Sequence, residues 1–182
     1  MKILVINCGS SSLKYQLFDM ESEKWLAKGI CEAIGTSTSA AKGSTPDGKE
    51  FKMTVDIPDH KVAFNIVKDA LTTGECKVID DLKEIDAVGH RVVQGGDRYT
   101  ESILIDNSVV KALLTLVNSH LFTTLLMLLV LTLVQRFSAK NSHRLLYLTT
   151  HSTAQCLKPL ICSDFLTNIM KNTMFVVTVL KV

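Results

Sequence analysis

Asn7, Gly9, Ser10, Ser11, Ser12 and Lys14 fall within the run ILVINCGSSSLKYQLFD, residues 3–19. Backbone N–H groups on a tight, glycine-bearing turn hold phosphate well, and neighbouring hydroxyls help. Gly9 and the three serines supply both. Lys14, one residue into the following strand, can place an ammonium on the same phosphates. Asn7 ends the preceding strand and offers a carbonyl oxygen, a hard ligand that suits Mg2+ or its waters. The plain alternative is a serine-rich hairpin loop without chemistry, since short motifs often arise by chance.

A second cluster is GHRVVQGGD, residues 89–97. Arg91 sits in a run that is otherwise apolar: Ala87, Val88, Val92 and Val93. A guanidinium in such a strand requires an anionic partner. A carboxylate or phosphate held bidentately would serve, and so would a structural Asp or Glu. His90 and Arg91 are adjacent, so they take opposite faces of a sheet. Only one of them can share a site with the serine loop. Val93 falls on the Arg91 side and can line a small apolar pocket. His90 reads as a packed, hydrogen-bonded histidine rather than a catalyst.

The elements that must position these residues are legible from periodicity. Residues 2–7 read as a buried strand, and the alternating residues 13–19 as its antiparallel partner. Residues 24–32 read as a third strand and 51–57 as a fourth, with a Gly/Ser/Thr/Pro loop over 35–49 between them. Residues 59–73 carry Val62, Ala63, Ile66, Val67, Ala70 and Leu71 at helical spacing, and Asp59 is placed to cap that helix. Residues 85–93 read as another buried strand, followed by the turn QGGD, and 102–106 as a short extended piece. Strands, then a helix, then a strand is the opening of an α/β domain with a mixed sheet.

Composition breaks near residue 107. Residues 1–106 hold 13 basic and 17 acidic residues and all 9 glycines, a net charge of −4. Residues 107–182 hold seven basic residues and one acid, Asp164, a net charge of +6, and no glycine. Usual glycine content predicts about five in a stretch of that length. The weak overall charge of +2 gives no reason to expect a nucleic-acid partner. Residues 112–135 contain no charged residue, and by length alone they are a membrane-span candidate flanked by Lys111 and Arg136. Against a span stand Asn118, Ser119, His120 and several threonines. A membrane-anchored protein with one spanning helix at 112–135 is therefore the alternative reading. The cysteines Cys8, Cys31, Cys76, Cys156 and Cys162 are odd in number and none forms a CxxC pair, which argues against a disulfide framework or zinc site and predicts a cytoplasmic setting. The strand at the N-terminus leaves no room for a signal peptide.

Together, KILVINCGSSSLKYQLFD and AVGHRVVQGGDRYTESILID resemble the start of the acetate kinases. Two separated motifs agree in order and spacing, over about residues 1–111. The resemblance implies a ribonuclease-H-like domain of the actin/Hsp70/hexokinase superfamily, here incomplete. It implies phosphoryl transfer between ATP and acetate, giving ADP and acetyl phosphate, with Mg2+. On that pattern Asn7 helps hold Mg2+. Lys14, with Ser10 and Ser12 of the loop, contacts ATP. Arg91 binds the acetate carboxylate or acetyl phosphate, and Val93 packs on the acetate methyl. The chemistry suits such a site, because phosphoryl transfer needs positioned cations more than covalent steps. The family is homodimeric, with no membrane partner. Gln94 departs from it, standing where a second histidine is common. Propionate and butyrate kinases share the fold, so substrate length stays open, as does a non-enzymatic nucleotide-binding head.

The family is about twice this length. It continues with a His-Asn-Pro segment, then FDTAFHxTMP, then RRYGFHGTSH, and none of these appears after residue 112. The genetic code offers a test. Phe122–Met127 is encoded TTY ACN ACN YTN YTN ATG, and reading from the third base of each codon permits His-Asn-Pro-Pro-Asn. In the same frame Tyr147–Lys158 permits Val-Phe-Asp-(Asp or Asn)-Ala-Phe-His-Ser-Thr-Met-Pro-Glu, with one disagreement at the family's threonine. Phe175–Val179 permits Arg-Arg-Tyr-Gly, and Lys181 brings a second disagreement, at the family's histidine. Three motifs in order in one alternative frame predict a frameshift between about codons 112 and 118. Residues 113–182 are then a non-native, Leu-rich tail prone to aggregation. The family's catalytic aspartate, transition-state histidine and transition-state arginine lie beyond the shift. No catalytic residue is then present, and the chain is expected to be inactive.

Overall fold

The computed structural model describes residues 1–92, 103–104, 108, 111 and 143–148. Its frame is one mixed sheet in the order β5-β4-β3-β2-β1-β6-β8-β7. The strands are β1 (Lys2–Cys8), β2 (Ser12–Asp19), β3 (Lys24–Glu32), β4 (Ala40–Ser44), β5 (Glu50–Thr54), β6 (Ala87–Val92), β7 (Ile103–Leu104) and β8 (His143–Leu148). Strands β1 to β5 form an antiparallel meander. The chain then passes through one helix, α1 (His60–Thr72), and returns as β6, parallel to β1.

Alternation sets the two faces of this sheet. Leu4, Ile6 and Cys8 of β1 and Leu13, Tyr15 and Leu17 of β2 are buried on one side, against Ala63, Phe64, Val67 and Leu71 of α1. Burying each large aliphatic side chain there contributes roughly 2 kcal/mol. The other side carries a smaller apolar cluster of Ile3, Phe18, Met20 and Ala87 far from the hairpin turn. Nearer the turn that side carries Asn7, Ser12 and Lys14, with Ile30 beside Lys14.

Helix α1 begins where the spacing predicts. The Asp59 carboxylate accepts the Val62 N–H at 2.8 Å, the N-cap arrangement. It ends at two threonines and a glycine. The Thr72 and Thr73 hydroxyls bond back to the carbonyls of Lys68 and Asp69, and the Thr73 and Gly74 N–H groups both donate to Asp69.

Several boundaries differ from the sequence reading. The expected loop over 35–49 contains β4. Its Ala41 is fully buried, and it pairs with β3 on one side and β5 on the other. Its small residues hid a strand that pairing on both edges stabilises. The expected strand over 51–57 ends at Thr54, because residues 55–57 bond to Ser39 instead of a ladder: Val55 N–H to its carbonyl and Ile57 N–H to its hydroxyl. The strand expected over 85–93 runs from Ala87 to Val92, and residue 93 and the QGGD turn lie outside the described residues. β8, for which the sequence shows no clean period, adds in parallel to β6.

Candidate functional site

The polar cluster forms at the turn between β1 and β2. Asn7 and Lys14 are direct cross-strand partners, and Cys8 faces Leu13 one step nearer the turn. Cys8 and Leu13 are buried toward α1. Asn7 and Lys14 therefore stand on the opposite face, Asn7 half-buried and Lys14 exposed. Ser12 shares the Lys14 face by alternation, and Ser10 and Ser11 are exposed at the tip.

The tip is held by three hydrogen bonds. The Gly9 N–H donates to the Ser12 carbonyl at 2.8 Å, and the Ile34 N–H donates to the Ser11 carbonyl at 2.9 Å. The third comes from His60, the first residue of α1, whose Nε2 lies 2.9 Å from the Gly9 carbonyl. A Cβ at Gly9 would come within 3.1 Å of the Ser12 Oγ, so a side chain there would press on that hydroxyl.

Cys8 precedes the tip and is no nucleophile. Burial, with Cys31 as a secondary influence, pushes its thiol up to about 12. A thiol so protonated neither attacks nor ligates.

The 89–92 segment is divided by the sheet. His90 is buried at register with Ile6, on the α1 side. Position 91 follows on the opposite face, the face of Ala87 and Gly89 and hence of Asn7 and Lys14. Of the two adjacent residues it is Arg91 whose strand position shares a face with the hairpin site. Val93 and Gln94 lie outside the described residues.

Among the described residues no group of three or more His, Cys, Asp or Glu side chains is arranged to hold a metal ion. The hard donors in the cluster are neutral oxygens: the Asn7 amide and the hydroxyls of Ser10, Ser11 and Ser12. That set does not make a resident metal site. It fits Mg2+ that arrives on phosphate oxygens and keeps most of its waters.

His60 is the site residue that sequence reading missed. A signal was present. His60, Ala63, Phe64, Val67 and Leu71 form one stripe of α1, all buried, so position 60 placed a polar ring on an apolar face.

Residues 2–120 match the sequence model of the Acetokinase family. The chain belongs to the acetokinase family. The acetate kinase of Natranaerobius thermophilus is 54% identical over 118 residues, 65% of this chain and 30% of that protein. The acetate kinase of Methanosarcina thermophila is 53% identical over 113 residues, 62% of this chain and 28% of that protein. This acetokinase-family chain thus spans about 30% of the length of the curated relatives it matches. The crystal structure of Porphyromonas gingivalis acetate kinase superposes with a TM-score of 0.71 at 29% identity, covering 81% of this chain and 37% of that one. A propionate kinase from Francisella tularensis gives a TM-score of 0.66 at 24% identity, covering 81% of this chain and 36% of that one, a likeness of fold alone. The actin/Hsp70-like α/β fold expected from the motifs is the fold of the family. Among the described residues no helix is long and apolar enough to cross a membrane, and segment 112–135 lies outside them.

Proposed function

We propose that this chain carries the nucleotide-gripping part of an acetate kinase, an enzyme of Mg2+-dependent phosphoryl transfer between ATP and acetate. The observation that supports it is the shared face of Asn7, Ser12 and Lys14 beside the pinned serine tip. Ser10 and Ser12 with their backbone N–H groups, and the Lys14 ammonium, take the phosphates of ATP. Asn7 turns its amide oxygen to the Mg2+ or its waters. Arg91 binds the carboxylate of acetate or the phosphoryl group of acetyl phosphate, and Val93 lines the methyl pocket. The metal supplies charge neutralisation on the transferring phosphoryl group.

Residues 113–182 are, on this proposal, a frameshifted tail. The groups that stabilise the transition state are absent, and each such loss raises the barrier by about 3 kcal/mol. The chain then binds Mg·ATP with negligible turnover, in the cytoplasm, and the homodimer of the family does not form. Calorimetric titration with Mg·ATP and a coupled acetyl phosphate assay test this together. Binding without turnover is the expected result. Turnover at the rate of a full-length acetate kinase overturns the inactivity, and no Mg·ATP binding overturns the grip.

A further inference from the structure

We propose that His60 is a positioning residue that aims the serine tip at its ligand, an inference that rests on the nucleotide-binding reading above. His60 is only 3% exposed, although it is the first residue of a helix, where side chains usually reach water. Its Nε2 meets the Gly9 carbonyl at 2.9 Å, joining residues 51 apart in sequence. A carbonyl only accepts, so Nε2 carries the proton and donates.

The consequence follows from peptide planarity. In a trans peptide the carbonyl of one residue and the N–H of the next point in opposite directions. With the Gly9 carbonyl turned inward to His60, the Ser10 N–H is turned outward, away from the helix. The Ile34 N–H, just past β3, pins the Ser11 carbonyl, and the Ser12 carbonyl takes the Gly9 N–H. An outward N–H at Ser10, flanked by serine hydroxyls, presents an anion-binding donor at the tip. His60 holds that N–H in place before any ligand arrives. Without His60 the Gly9–Ser10 peptide is free to rotate, and the ordering cost falls on the binding step.

The test uses the full chain with uniform 15N labelling. Long-range proton–nitrogen spectra should show the His60 proton on Nε2, and an Nδ1–H ring overturns the proposal without any variant. His60→Leu removes the donor, and His60→Gln offers an amide N–H at similar reach. In His60→Leu the Gly9 amide should exchange at least about tenfold faster, while Val67 and Leu71 of α1 keep their rates. The affinity for Mg·ATP should fall about tenfold, the size of one hydrogen bond, and His60→Gln should recover most of it. Unchanged Gly9 exchange, or an equal rise across α1 and the tip, overturns the positioning role. Failure of the unaltered chain to bind Mg·ATP overturns the nucleotide reading instead, and the exchange rates still decide whether His60 holds the tip.

Discussion

Asn7 and Lys14 are paired across the β1–β2 ladder on the face turned away from α1. Their neighbours Cys8 and Leu13 are buried on the other face, so a slip of register by one residue would expose an apolar pair and bury an ammonium. The core that fixes the register thereby fixes the site. A neutral oxygen donor and a cation are held a strand apart, beside a tip whose Gly9 and Ser11 carbonyls are bonded to His60 and Ile34.

Lys14 is exposed, so its proposed contact with ATP can be tested without disturbing the fold. Lys14→Met should weaken Mg·ATP binding by about tenfold or more, the loss of one charge-assisted contact. Its unfolding free energy in urea should stay within about 0.5 kcal/mol of the parent, as for other surface changes. Equal affinity in a calorimetric titration would remove Lys14 from the site.

Asp59 caps the helix that carries His60. Asp59→Ala should cost about 1 kcal/mol in urea unfolding. Because His60 follows directly, the same variant should also speed Gly9 amide exchange. A stability loss with unchanged Gly9 exchange would show that His60 holds its place without the cap.

Tyr15 packs over Gly29 and Gly43, which are themselves cross-strand partners. A Cβ at Gly29 would meet the Tyr15 ring at 2.5 Å and the Lys42 carbonyl at 2.6 Å. Gly29→Ala should destabilise the chain by about 2 kcal/mol, typical of overpacking. The Tyr15 hydroxyl is buried without a hydrogen-bond partner among the described residues. Tyr15→Phe removes an unmet polar group and should leave stability equal or higher. A marked loss in chemical denaturation would reveal a partner for that hydroxyl.

Glu84 accepts from the Lys2 ammonium and from the N–H groups of Asp80 and Asp81. The ion pair first, then those bonds, hold its carboxyl down to about 2, from an ordinary 4.5. A lowered carboxylate stabilises the fold above its unfolded value and loses that contribution as the proton returns. Stability should therefore fall between pH 4.5 and about 2, and Glu84→Gln should flatten that limb. An unchanged acid limb in urea titrations of the variant would refute the assignment.

Cys8 and Cys31 have the opposite sign. Burial raises their thiols to about 12 and about 11, from an ordinary 9.0. The contribution is complete below pH 9 and disappears as pH rises toward those values. In the folded chain at pH 8 neither should react with iodoacetamide, and both should react in urea. Rapid labelling of Cys8 in the native state would contradict its burial.

Much of this was written in local pattern. The β1–β2 hairpin, the Asp59 cap and the apolar stripe of α1 are short-range consequences of alternation and helical spacing, so they were legible. So was the cluster of Asn7, the serines and Lys14, because a hairpin brings together residues that are already neighbours. β4 was not legible, since Ala40–Ser44 is a strand only by pairing on both edges. Adjacency alone showed that His90 and Arg91 take opposite faces. Which of them joins the hairpin depended on the parallel register of β6 against β1, fixed by residues more than eighty apart. His60 illustrates the same limit. Its burial was foreshadowed by the helix stripe, but its partner was a carbonyl, which every residue owns and no sequence distinguishes. Only the packing of α1 on the sheet decided that this carbonyl belonged to Gly9.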